Sequence, residues 1–239
     1  MLSPLQPTEE FTSACTAQGI EFEPGDVERL GAYLSLLLET NKSFNLTAVT
    51  DPAHAWMRHI FDSLTLLAIL AELPEGGDGS PVIDVGSGGG LPGLPLAICL
   101  PRIKFTLLEA TGKKADFLKR AAAELSLANV TVVAERAEHA GQGSLRESFD
   151  VAVARAVGPL SVIAELTVPL VKIGGQVLLI KGQKAPEELA EAKKALHMLH
   201  VVHAGTVETP TGRIVVLDKP RKTPAAYPRR DGEPKRDPL

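Results

Sequence analysis

The stretch Pro-Val-Ile-Asp-Val-Gly-Ser-Gly-Gly-Gly-Leu-Pro-Gly-Leu-Pro-Leu-Ala, Pro81 to Ala97, constrains this chain more than any other. A short run, Val82–Val85, carries one acid, Asp84, and ends directly in Gly86, Gly88, Gly89 and Gly90. A β-branched run that meets clustered glycines reads as a strand turning sharply through backbone that has no Cβ. Such a turn lets the main chain lie against a ligand. The helix beginning near Leu91–Pro92 presents its unpaired amides to the same space.

Beyond this loop, strand-like and helical patterns alternate. Strands are expected at Val82–Val85, Phe105–Leu108, Val130–Val133, Phe149–Ala154 and Gln176–Ile180. Helices are expected at about Pro92–Leu100, Lys113–Leu127, Leu160–Val171 and Pro186–Met198. Alternation of this kind implies a parallel sheet with helices on both faces. Two last runs, His200–Val207 and Arg213–Asp218, are separated by Glu-Thr-Pro-Thr-Gly, too short for a crossover, so they predict an antiparallel hairpin. The expected fold class is α/β: a Rossmann-like, seven-stranded, mostly parallel sheet with an antiparallel last strand. Residues 1–75 form a helical section before it, in which Val27, Leu30, Tyr33, Leu34, Leu37 and Leu38 make an apolar helical stripe. Thr50 or Asp51 is the candidate cap of a second helix that has Pro52 in its first turn. The sheet domain spans 76–219, and the Pro-rich, charged residues 220–239 are expected to be a mobile tail when alone.

With 44% hydrophobic residues in 239, the chain can bury a sizeable core, which excludes general disorder. Its net charge is −4, yet seven basic residues face three acids between Lys219 and Leu239. A positive tail on a negative body points to an anionic partner. Cys15 and Cys99 offer neither a disulfide framework nor zinc spacing, which fits a reducing, cytoplasmic setting. No signal peptide or membrane span is expected. His197, His200 and His203 recur every third position but straddle a helix end and a strand, so no metal is expected there.

Two ligand patterns overlap at the loop. Gly86, Gly88 and Gly90 read as the S-adenosylmethionine turn, whereas Gly88, Gly90 and Gly93 read as a dinucleotide fingerprint. Glu109 ends the second strand, where an acid can accept from both ribose hydroxyls of either ligand. Asp84, inside the strand, can face the cationic end of S-adenosylmethionine. The reversed hairpin and the lack of a second domain for a hydride acceptor favour methyl transfer over an NAD(P)-dependent oxidoreductase. A non-catalytic, S-adenosylmethionine-sensing RNA-binding protein is the third reading.

In order along the chain stand Asn45–Pro52 (NLTAVTDP), Arg58–Leu64 (RHIFDSL), Ile83–Ala97, Lys113–Leu118 (KKADFL), Arg136–Glu138 (RAE), Ala154–Leu160 (ARAVGPL) and Leu179–Gln183 (LIKGQ). This set resembles the RsmG family, also called glucose-inhibited division protein B, and the basic ending resembles the tail of many members. The resemblance implies methylation of N7 of one guanine in 16S ribosomal RNA, with S-adenosyl-L-methionine as cofactor and the rRNA or the small ribosomal subunit as partner. It also implies cofactor contacts at Gly86 and Leu91 in the loop, at Ala137 and Glu138 after the third strand, and at Arg155. The loop reading adds Gly88, Asp84 and Glu109; relatives often carry Asp where this chain has Glu109.

Guanine N7 bears a lone pair and no proton, so its methylation needs alignment rather than a general base. Methylation at a pyrimidine carbon would need a nucleophilic cysteine. Methylation of an adenine amino group would bring an Asn/Asp-Pro-Pro-aromatic motif where this chain reads Ala154-Arg155-Ala156-Val157. Arg155, at a strand's carboxyl end, is the candidate catalytic residue, able to hold a phosphate, the cofactor carboxylate or the guanine edge. RNA contact is expected from Lys113, Lys181, Arg213, Arg229 and Arg230, with Arg58, His59 and Lys114 as further candidates. Aromatic residues are 4%, which argues against a base-stacking platform. Arg58 and Asp62 are spaced to pair along a helix, and His59, Asp62 and Ser63 are expected to brace the glycine loop.

Overall fold

Strand β1 (Pro81–Val85) is an interior strand, third of seven in the sheet. The sheet belongs to a computed structural model that describes residues 3–73, 77–155 and 157–239. β2 (Lys104–Leu108) and β4 (Phe149–Arg155) flank β1 in parallel, β3 (Val130–Val133) pairs with β2, and β5 (Val171–Lys181) pairs with β4. β6 (Val202–Thr209) and β7 (Gly212–Asp218) form the expected hairpin, and β7 runs antiparallel to both β5 and β6. The order is therefore β3-β2-β1-β4-β5-β7-β6. A hairpin cannot add two parallel strands, so β7 reverses and β6 returns to the common direction at the edge. That reversed strand separates this sheet from the dinucleotide-binding order, in which the sixth strand follows the fifth directly.

Helices cover both faces. On one lie α1 (Glu9–Ala17), α2 (Asp26–Asn41), α3 (Pro52–Ala55), α4 (Asp62–Leu64), α5 (Leu67–Ala71), α6 (Gly93–Cys99) and α7 (Gly112–Glu124). On the other lie α8 (Ala137–Gln142), α9 (Leu160–Thr167), α10 (Ala185–Glu191) and α11 (Lys193–Leu199). Side chains alternate between the two cores along each strand: Val82, Val151 and Val153 join the first, and Ile83, Val85 and Ala152 the second. Asp84 and Arg155 share the parity of the first set. Both therefore leave the sheet toward the N-terminal helices, whose residues Leu30, Tyr33, Trp56 and Phe61 complete that core. The N-terminal section is thus a layer of the same core; its expected boundary at 75–76 lies outside the described residues.

Several elements differ from expectation. The helix from Leu160 stops at Thr167, because Pro169 has no N–H for another turn; a short 3₁₀ turn, Val168–Leu170, leads straight into β5. The helix expected at Pro186–Met198 is split into α10 and α11 at Ala192. Asp51 caps α3 by accepting from the His54 amide at 2.8 Å. A π-helical turn, Trp56–Phe61, then separates α3 from α4.

The largest correction concerns residues 220–239, which are packed rather than free. Gln142 and Arg146 donate to the carbonyls of Thr223, Ala225, Tyr227 and Pro228, and a last turn, α12 (Glu233–Arg236), follows. The cause is Glu165 on α9, which is 0% exposed. A carboxylate in an apolar layer needs a charged partner. The Arg229 side chain supplies it, with Nη2 at 2.7 Å and Nε at 2.9 Å from the carboxylate oxygens.

Candidate active site

The glycine loop takes the shape that its sequence demands. Gly86, Gly88 and Gly90 have φ of 73°, 57° and 98°, backbone that side-chain-bearing residues rarely adopt. A Cβ on Gly86 would come within 3.1 Å of Val157, whereas one on Gly88 would meet only the Gly86 carbonyl at 3.8 Å and otherwise project into open space. Tyr33, buried in the N-terminal layer, donates its hydroxyl to the Gly89 carbonyl at 2.7 Å. The sequence reading placed Tyr33 only in an apolar stripe. Nothing local to it signals a bond to a residue 56 positions away.

Gly86, Gly88, Leu91, Arg155 and Lys181 border one cavity of about 520 Å³. Leu46, Thr47, His59, Asp62 and Thr211 close it from the N-terminal layer and the hairpin turn, and Lys114 stands at its rim. The volume lies within the range of small-molecule sites. Arg155 is held by Asp62 at 3.0 Å and meets His59 Nδ1 at 3.3 Å, while His59 Nε2 meets Thr47 Oγ1 at 2.7 Å. Asp62 thus pairs with Arg155 and not with Arg58. His59 and Asp62 brace Arg155 instead of the glycine loop, because Arg155 exits β4 on their side of the sheet. Burial, reinforced by the Arg155 charge, pushes His59 down to about 4, so the ring is neutral at pH 7.

Other expected contacts fall elsewhere. Asp84 is 0% exposed and turned under the loop, where its Oδ2 accepts from the Gly93 amide at 3.1 Å; it ties the loop to the strand and does not face the cavity. Burial pushes its carboxyl up to about 7. Glu109 lies behind the loop, taking the Gly88 amide at 2.9 Å and the Thr111 amide at 2.7 Å. Its longer side chain is what reaches Gly88. Glu138 is buried beside the C-terminal segment and accepts from Arg136 at 3.0 Å and from the Gly232 amide at 2.8 Å. It borders a second surface cavity of about 670 Å³, shared with His139 and Arg230. Ala137, half-buried, begins α8, a helix that the sequence reading did not anticipate.

The basic residues divide. Lys113 and Arg230 are exposed and have no ion pair among the described residues. Lys181 lies 2.6 Å from Glu188, Arg213 bonds Glu208 and Gln183, and Arg229 is spent on Glu165. The three histidines lie apart on α11, its C-cap and β6; His200 bonds the Lys222 carbonyl and His203 bonds Thr206. Burial pushes both cysteine thiols up to about 12, which keeps them protonated at neutral pH. Among the described residues no helix is long and apolar enough to cross a membrane.

The strand order and the glycine loop define a class I S-adenosylmethionine-dependent methyltransferase fold. Solved structures agree at the level of fold. A cofactor-bound protein from MTB matches with TM-score 0.58 at 17% identity, covering 92% of this chain and 100% of that one. A Corynebacterium glutamicum protein matches with TM-score 0.56 at 16% identity, covering 89% and 97%. A profile described as rRNA small subunit methyltransferase G matches residues 26–215. The ribosomal RNA small subunit methyltransferase G of Sorangium cellulosum is 50% identical over 227 residues, covering 95% of this chain and 94% of the relative. That of Leuconostoc citreum is 42% identical, covering 97% and 98%. The chain belongs to the rRNA small subunit methyltransferase G family, and its activity is S-adenosylmethionine-dependent methylation of ribosomal RNA.

Proposed function

We propose that this chain methylates N7 of a guanine in small-subunit (16S) rRNA. The observation that carries the reading is the state of the acid–base groups around the cavity. Both ring nitrogens of His59 are engaged, Asp62 holds Arg155, and Glu188 holds Lys181. A site whose bases are committed suits a nucleophile that has no proton to lose, and guanine N7 is such a nucleophile. Attack at an exocyclic amine or a ring N–H leaves a proton to be lost, and the acid–base side chains named here already have partners.

The residues fit the cofactor. Gly86 and Gly88 expose bare backbone to the cavity, and a Cβ at Gly88 would occupy that space. S-adenosyl-L-methionine bound there supplies a methyl group on a positively charged sulfur. Gly86, Gly88 and Leu91 would hold its amino-acid end, and Glu109, which takes the Gly88 and Thr111 amides behind the loop, would reach the ribose only by releasing one of them. Ala137 and Glu138, which the family resemblance implies for the adenine side, lie away from this cavity, Glu138 bordering the other one, and Asp84 supports the loop from beneath. Arg155 holds an acceptor of the reacting pair at the cavity wall. Lys113 and Arg230 are free to meet phosphates. Lys181, Arg213 and Arg229 contribute only if RNA displaces their present partners, so they are weaker phosphate ligands.

Incubation with methyl-labelled S-adenosylmethionine and small-subunit RNA from an unmethylated strain, as naked RNA and as assembled subunit, tests this reading. Label is expected on one guanine, where the modified base becomes sensitive to borohydride and aniline cleavage. Label on an exocyclic amine or a pyrimidine carbon would remove the N7 assignment. No transfer in any form would favour a cofactor-sensing RNA-binding role.

A further inference from the structure

Arg155 leaves β4 as a guanidinium already committed on one side. Its Nη1 donates to the Arg58 carbonyl and to Asp62 Oδ2, and its Nη2 meets His59 Nδ1. Among the described residues, no acceptor is bonded to Nε or to the other Nη2 hydrogen, while the side chain borders the cavity. Asp62 is fixed in turn: Oδ1 accepts from Thr211 Oγ1 at 2.6 Å, and Thr211 lies in the β6–β7 turn. The π turn Trp56–Phe61 brings the Arg58 carbonyl, His59 and the adjoining Asp62 together against the end of β4. Segments far apart in sequence therefore converge on one carboxylate.

We propose that Asp62 and Thr211 are positioning residues for methyl transfer: Thr211 orients Asp62, and Asp62 orients Arg155, so that the two remaining N–H groups of Arg155 address one place in the cavity. The inference rests on the N7 reading above. Guanine offers O6 and N7 side by side, and an unrestrained guanidinium donates to both. Donation to N7 would occupy the lone pair that must attack the methyl carbon. With both Nη1 hydrogens spent, only the Nε–Nη2 edge remains, and the clamp fixes where that edge points, so that it meets O6 without turning onto N7. Loss of the clamp should then reduce turnover while leaving both ligands bound.

The decisive variant is Thr211→Val, which keeps shape on a surface turn and deletes the donor. Turnover should fall about tenfold while KM for the RNA and the equilibrium affinity for S-adenosylmethionine stay within about twofold, with melting unchanged. Thr211→Ser should restore turnover. Asp62→Asn should lower turnover further in the same direction. On an Arg155→Ala background, Thr211→Val should have no additional effect, as expected for residues acting through one another. Wild-type turnover in Thr211→Val overturns the proposal. So does a Thr211→Val loss that multiplies with Arg155→Ala, or one that appears as lowered melting or lost cofactor binding. If Asp62→Asn does not fold, Thr211→Val decides alone. A wild-type enzyme that transfers no methyl group overturns the N7 reading together with this inference, whereas an active wild type with an unaffected Thr211→Val overturns the inference alone.

Discussion

Asp84 carries an ionisable group into a place where ionisation is costly. Its ordinary value of 3.8 rises to about 7 through burial, partly offset by the Gly93 amide. The folded state therefore binds the proton more tightly than the unfolded chain. The resulting stabilisation is full below 3.8, declines as pH rises toward about 7, and is gone above it. Asn cannot ionise and can still accept from Gly93. Asp84→Asn should match the wild type near pH 4 and grow progressively more stable than it up to about pH 7, as urea unfolding across pH would show. A constant difference across that window would contradict the assignment. His59 acts with the opposite sign. Its value falls from 6.5 to about 4, so its contribution is full above 6.5 and lost as pH falls through about 4. That slope should persist in Asp84→Asn.

At the scale of elements, the loop between β1 and α6 was legible from its glycines, because positive φ and close approach leave few other residues possible. Gly88 gives the cleanest test. Gly88→Ala should cost about 1–2 kcal/mol through its left-handed backbone, a melting decrease of about 2–8 °C. It should weaken S-adenosylmethionine binding at least about tenfold, because the added methyl enters the cavity and not the core. Unchanged cofactor affinity would move the ligand away from this loop. The strands of the sheet and the closing hairpin were legible for the same local reason: apolar runs of strand length bounded by turn residues. What escaped was set at long range. The acid at β1 reads equally as a ligand or a brace, and only its parity with Val82 puts it under the N-terminal layer. His59 and Asp62 stand 96 and 93 positions from Arg155, and no spacing rule connects them. α8 is short and lacks an apolar stripe long enough to register. The start of β5 was hidden by Leu160–Val171, whose apolar pattern continues the helix through Pro169.

For the molecule as a whole, the C-terminal segment, expected to be mobile, is packed as part of the fold. Arg229→Ala leaves the buried Glu165 with only the backbone amide of residue 229, and truncation after Tyr227 removes that too; the loss should reach about 3–5 kcal/mol in urea unfolding. Replacing both partners, Glu165→Leu with Arg229→Met, should recover most of that loss. A truncated protein as stable as the full chain would show the segment to be only loosely attached. The bond from Thr211 to Asp62 has a further consequence in time. Of the residues bordering the cavity, Thr211 is the last to be synthesised, so the bond that fixes Asp62 can close only after the rest of that lining, the glycine loop included, has been made.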